Sequence, residues 1–310
     1  MKKIFILALI IIYVYNVKSQ EELSDEKIRK NFICYDLALA ASKPDTVVGL
    51  NLRQQGYKEI PASIGTLYNL EFFNGMKNSI ETISPEIGNL KKLRILNLRQ
   101  NKISALPETF YNLKKLGELD LSRNNLSNIN QPWNKLKSLR FLSLSSNKID
   151  VIPKELIKLK KLSHVDLSSN KLIKLPDGIQ KLKKLKALNA SNNQLAEISN
   201  GILQNKSIEE LMLDNNLVQE LPDVFCQNSQ IKILLLSNNK LKALPKSISY
   251  LSKLETLGLS NNQLTDFPEE FYKLKHLRTL IISGNLISEA TLTKLKEKLP
   301  DTRIVFEKSL

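Results

Sequence analysis

One hydrophobic pattern repeats along almost the whole chain. Asparagine recurs at 78, 101, 124, 147, 170, 193, 216, 239, 262 and 285, always at a step of 23 residues, and Gln55 stands one step earlier in the same phase. A full unit runs Leu162-Ser-His-Val165-Asp-Leu167-Ser-Ser-Asn170-Lys-Leu172-Ile-Lys-Leu175-Pro176-Asp-Gly-Ile179-Gln-Lys-Leu182. Val165-x-Leu167 alternates with period two, which predicts one short strand per unit. A fixed period of this length predicts a solenoid in which the strands stack in parallel. The expected fold is therefore an α/β solenoid. Its eleven repeats of 23 residues would span 47–289, and their parallel strands would form one concave sheet.

Other positions in the unit have readable roles. The recurring asparagine turns the chain out of the strand, and its amide can satisfy backbone groups that would otherwise be buried without a partner. Seven prolines (61, 107, 153, 176, 222, 245 and 268) follow the apolar residue that closes the next segment. A proline there ends any ladder and starts an irregular or short helical convex segment. Behind it a second apolar column (Ile64, Ile87, Phe110, Trp133, Leu156, Ile179, Ile202, Phe225, Ile248, Phe271) packs into the core, which makes Trp133 a core residue rather than a ligand anchor.

A solenoid needs capped ends. Residues 20–46 are expected to form a helical N-terminal cap, with Leu23-Ser24-Asp25 and Ile28 reading as a helix start and the helix running to about Ala41. Residues 290–310 form the C-terminal cap, helical from Glu289 to Leu299 and closed by a strand at Ile304-Val305-Phe306. Ahead of both, Met1-Lys2-Lys3, an apolar run from Ile4 to Tyr15, and Val17 and Ser19 read as a secretory signal peptide over 1–19. The run is too short for a membrane span, so the mature chain is expected to have none and to be secreted or held in a periplasmic or envelope compartment. Cys34 and Cys226 lie on either side of seven repeats, roughly 30 Å apart at strand spacing, so no disulfide is expected between them.

The unit Leu-x-x-Leu-x-Leu-x-x-Asn-x-Leu-x-x-Leu-Pro-x-x-Ile-x-x-Leu-x-x resembles the 23-residue leucine-rich repeat of secreted bacterial proteins, and it is also similar to the Ras-group repeat proteins of eukaryotes. The run Lys43-Pro44-Asp45-Thr46-Val47-Val48-Gly49-Leu50-Asn51-Leu52 looks like the usual entry into the bacterial form. The resemblance implies a leucine-rich repeat arc that binds proteins or peptides on its concave sheet, without catalysis and without a cofactor. Gly75 and Ala190 depart from the apolar strand position, and Asn205 and Asn228 from the convex leucine. Local irregularity is therefore expected in repeats two, seven and eight.

With Leu-x-x-Leu-x-Leu-x-x-Asn numbered one to nine, alternation sends positions 3, 5 and 7 to the concave surface, with 2 and 8 at its margins. Position 7 is mostly serine and position 5 mostly Asn, Asp or Ser, which reads as solvated background. Two apolar groups interrupt it. One is Phe72, Ile95, Phe141 and His164 at position 3, flanked by Arg53, Arg94, Arg99, Arg123 and Arg140. The other is Met212, Leu235 and Ile281 at position 5 with Ile233 at position 3. Large apolar side chains beside arginine are typical of binding hot spots, and these are the expected partner-binding residues.

Charge changes the picture less than it first suggests. The chain carries 46 Lys+Arg against 31 Asp+Glu, a net +15, and such an excess raises the question of a polyanionic partner. Signal removal takes away three cations and lowers the net charge from +15 to +12. Twelve lysines also occupy the two residues before each repeat: Lys91, Lys92, Lys114, Lys115, Lys137, Lys160, Lys161, Lys183, Lys184, Lys206, Lys253 and Lys275. They form a ridge along one edge that could meet an acidic surface, and export argues against nucleic acid. Enzyme readings are excluded on spacing. His164, Asp166 and the serines lie about 7 Å apart along a strand, too far for a nucleophile and its base. His164 and His276 lie on different surfaces, so no metal site is expected.

Overall fold

The computed structural model describes residues 33–225 and 229–307. Among these, thirteen short strands form one parallel sheet whose spatial order follows the chain. Eleven of them, from Gly49–Asn51 to Thr279–Ile281, are the three-residue strands of successive repeats, each 23 residues from the last and paired with it: Phe72 with Ile95, Phe141 with His164, Met212 with Leu235. Parallel neighbours require a long crossover. Here it is an irregular return segment that ends, in most units, in a 3-10 turn such as Ala62–Thr66, Pro85–Asn89 or Glu108–Asn112. Pro61, Pro107, Pro245 and Pro268 stand immediately before four of these turns with φ between −77° and −63°, the value their ring imposes.

The return segments and the inward faces of the strands enclose one continuous apolar cluster from Leu37 to Leu299. Trp133 is fully buried in it, and its indole N–H donates to the Ile129 carbonyl at 2.9 Å. The asparagines form a ladder through this core. The Asn147 amide donates to the carbonyls of Leu121 and Leu144, both at 3.0 Å, and its oxygen accepts the Leu126 N–H at 3.0 Å. The same triad of bonds recurs at Asn124, Asn170, Asn193, Asn216, Asn239 and Asn262.

The expected irregularities resolve differently from one another. Gly75 leaves no void, because an added Cβ would meet Leu98 Cδ2 at 3.0 Å. The Ala187–Asn189 strand beside Ala190 keeps its register on both sides. Repeat seven changes its convex segment to an α-helix, Asn200–Leu203. There the buried Asn205 donates to the carbonyls of Ile179 and Leu182 at 3.1 and 3.3 Å, replacing apolar packing with hydrogen bonds. Asn228, Cys226 and the expected signal peptide lie outside the described residues.

The N-terminal end departs from expectation. The helix predicted to run to Ala41 is interrupted, because Ile33–Cys34 is a strand that pairs with Gly49 and Leu50 at the edge of the sheet. Helix α1 spans only Leu37–Ser42, and its start is set by Asp36, whose carboxylate accepts the Leu39 N–H at 2.7 Å. The physical reason is the open sheet edge: its unpaired backbone groups favour an added strand over a continued helix. At the other end a ten-residue helix, Glu289–Lys298, precedes the strand Arg303–Val305, which pairs with Thr279–Ile281.

Candidate interaction surface

The strands turn positions 4 and 6 into the core, and positions 3 and 5 form the open face of the sheet. Position 5 proves to be more than solvated filler. The side chains of Asn51, Asn74, Asn97, Asp120, Asp166 and Asn189 fold back and accept the N–H of the residue two further on, at 2.9 to 3.2 Å. These Asx turns end each strand and satisfy a backbone donor that the ladder leaves over. Position 8 takes the left-handed conformation in all eleven repeats, from Gln54 at φ 58° to Asn261 at 53° and Gly284 at 70°. Sequence reasoning missed both features. The signals were present: Asn or Asp two residues before Ser, and asparagine at 192, 215, 238 and 261.

Burial sorts the expected contact residues. Phe72, Phe141, His164, Ile233 and Leu235 are half-buried on the open face, while Arg53, Arg94 and Arg123 are exposed and Arg99 is half-buried. Ile95, Met212 and Ile281 were expected to stand exposed and do not; they retain 8%, 5% and 7% of their surface. Strands lie about 4.8 Å apart, so a large side chain on a neighbouring strand shields one of ordinary size. Ile95 lies between Phe72 and Glu118 and Met212 beside Leu235, whereas Ile281 has such a neighbour only in Val305, since Gly258 on its other side carries no side chain.

Phe141 and His164 stack with centroids 4.6 Å apart and planes 13° from parallel. Burial, then the nearby Lys186, lowers the His164 pKa, against a weaker opposing pull from Glu209, so the ring is neutral near pH 7. Burial likewise raises the carboxyls of Asp120, Asp166 and Asp214, the last to about 6, with bonds from Ser122, Ser168 and Ser237 working against it. Asp120 and Asp166 end their strands in turns, and Asp214 accepts the Ser237 N–H of the next repeat at 2.7 Å. Among the described residues no group of three or more His, Cys, Asp or Glu could hold a metal ion, and no helix is long and apolar enough to cross a membrane.

On the edge, Lys91, Lys92, Lys114, Lys115, Lys160, Lys161, Lys183 and Lys184 are all exposed. The partners of Lys91, Lys92 and Lys160 are a backbone carbonyl of Gly88, the amide oxygen of Asn69 at 2.7 Å and the carbonyl of Ile157 at 3.4 Å. None of the eight joins an ion pair among the described residues.

A parallel stack of identical turns, laddered by asparagine and open on one face of its sheet, defines a repeat solenoid that presents side chains rather than enclosing a ligand. The model of the Leucine rich repeat family matches residues 69–126, 91–149, 137–195, 206–264 and 229–287. These matches cover more than half of the sequence, and the chain belongs to the leucine-rich repeat family. Similar solved structures include the plant peptide hormone receptor RGFR1 in complex with RGF2 (26% identity, TM-score 0.69), where the match covers 81% of this chain and 42% of the receptor. An internalin from Listeria monocytogenes matches at 22% identity and TM-score 0.60, over 86% of this chain and 88% of that one. The Toll–Spatzle complex of Drosophila matches at 24% and 0.71, over 85% and 39%. No curated protein matches.

Proposed function

We propose that this chain is an exported, non-catalytic binding module that holds a protein or peptide against the open, concave face of its sheet. The observation that carries this is the placement of Phe72, the Phe141–His164 stack, Ile233 and Leu235, half-buried on a face whose position 5 is Asn, Asp or Ser in seven of eleven repeats. Leu235 and Met212 also stand where seven consecutive repeats carry Asn, Asp or Ser. Leu235 gives up the strand-ending turn those residues can make and leaves its apolar side chain only half-buried, while Met212 is buried. The plant receptor, solved with its peptide hormone, supports the same use of this fold. The test is capture of a partner by the full chain, repeated with Phe72→Ala plus Phe141→Ala. Binding that falls by tenfold or more is the expected result, and unchanged binding overturns the reading.

A second reading rests on the exposed edge lysines that join no ion pair among the described residues, which suit a polyanion or an acidic envelope surface. Salt separates the two. Ridge binding collapses between low and moderate ionic strength, whereas apolar recognition on the sheet weakens far less.

A further inference from the structure

A shallow depression of about 480 Å³ opens where the lysine edge meets the margin of the sheet, lined by Glu71, Lys92, Arg94, Lys115 and Ser138. The repeat explains its composition. Lys92, Lys115 and Ser138 each precede position 1 of successive repeats, and Glu71 and Arg94 occupy position 2 of two neighbouring ones. The next residue in that column is Gly117. An added Cβ there would find no atom closer than the Arg94 carbonyl at 3.6 Å, and the Arg140 guanidinium lies at 3.8 Å. Beside the depression the column thus drops to backbone at Gly117, leaving a narrow gap about one methyl group wide between Arg94 and the Arg140 guanidinium.

The charges around the gap are poorly neutralised. Arg94 and Glu71 form a long ion pair, 3.5 Å, with half of the arginine side chain still exposed. Lys92 donates to the uncharged Asn69 amide, and Lys115 makes no ion pair with a described residue. The depression also adjoins the aromatic group. Arg94 precedes Ile95, which pairs with Phe72 on one side, and Ser138 lies three residues before Phe141, roughly 10 Å along an extended chain.

We infer that this notch takes a carboxylate of the polypeptide partner, carried two or three residues from an apolar side chain that sits on Phe72 or Phe141. The inference rests on the proposed use of the open face and adds the chemistry of what binds there. A uniformly anionic polymer fits less well, because Glu71 and Glu118 interrupt the cationic surface and the adjoining floor is aromatic and aliphatic.

Selection of random peptides displayed on phage against the full chain, and against K92S/R94S/K115S, tests it. The expected result is enrichment of Asp or Glu two or three residues from an aromatic or aliphatic side chain. In the triple variant the acidic preference disappears and the apolar one stays. A selected peptide should bind the triple variant at least about tenfold more weakly, since charge-assisted bonds to a carboxylate are lost. Glu71→Gln should bind the same peptide more tightly, since a competing carboxylate is removed. Apolar peptides without acidic residues, indifferent to the triple variant, overturn the notch and leave the open-face reading standing. A library with no binders overturns both. Heparin that binds through the same three residues while no acidic-apolar peptide does would assign the notch to a polyanion and overturn the inference.

Discussion

At the scale of single residues, the asparagine ladder is the strongest determinant of the fold. Removing the amide of Asn147 leaves the buried N–H of Leu126 without its acceptor, while the carbonyls of Leu121 and Leu144 lose one donor each and keep those of Asn124 and Asn170. A buried unsatisfied group costs about 1–3 kcal/mol, so Asn147→Ala should destabilise by about that much, read as a lower midpoint in urea. Asp214 makes a prediction of opposite sign. Burial raises its carboxyl from the ordinary range to about 6, so the folded state holds this proton more tightly than the unfolded one. The associated stabilisation is complete below about pH 4 and is lost as pH rises through 6. Asp214→Asn keeps an oxygen to accept the Ser237 N–H and carries no charge to desolvate. Its urea midpoint should exceed that of the native chain at pH 7–8 and match it near pH 4. The ladder was legible because asparagine recurs without exception from 78 to 285. The left-handed position 8 was obscured where Gln54, Lys77 and Arg123 occupy it, residues with no preference for that conformation.

At the scale of elements, the strands and their register follow directly from period-two alternation inside a fixed repeat. Exposure on the open face does not, because it depends on which side chains the stacking brings alongside. Ile95 and Phe72 share position 3, yet only one is buried, since Ile95 lies next to Phe72 and Glu118. The N-terminal helix was misread for a related reason. Local pattern cannot see that an open sheet edge recruits Ile33–Cys34. Contact between convex turns was equally hidden. A Cβ on Gly88 would lie 2.5 Å from the Thr109 carbonyl oxygen and 2.7 Å from the Thr109 Cβ, so neighbouring turns would have to separate. Gly88→Ala should cost about 1–3 kcal/mol, the usual range for overpacking. Gly117→Ala, with its nearest such atom at 3.6 Å, should stay within about 0.5 kcal/mol of the native chain. Thermal unfolding of the two variants separates tight stacking of turns from open surface.

At the scale of the whole molecule, each repeat touches only its neighbours, so stability is close to a sum of repeat and interface terms and the ends matter disproportionately. The helix Glu289–Lys298 closes the last repeat by burying Leu292 and Leu295, with Leu299 just beyond it. Leu295 is fully buried, and Leu295→Asp would place a carboxylate in that apolar end, at a cost of several kcal/mol unless the helix detaches. Detachment exposes the core of the last repeats while leaving the far end of the stack in contact with its own neighbours. Amide hydrogen exchange should therefore accelerate in the strands Thr256–Gly258 and Thr279–Ile281 and remain slow in Phe72–Asn74 and Ile95–Asn97. Because Phe72, Arg94, Lys115 and Phe141 all lie in the slow part, a peptide selected on the native chain should bind Leu295→Asp with nearly unchanged affinity. Exchange that accelerates evenly over the whole sheet would show a single cooperative unit and would remove the expected separation between the weakened end and the binding face.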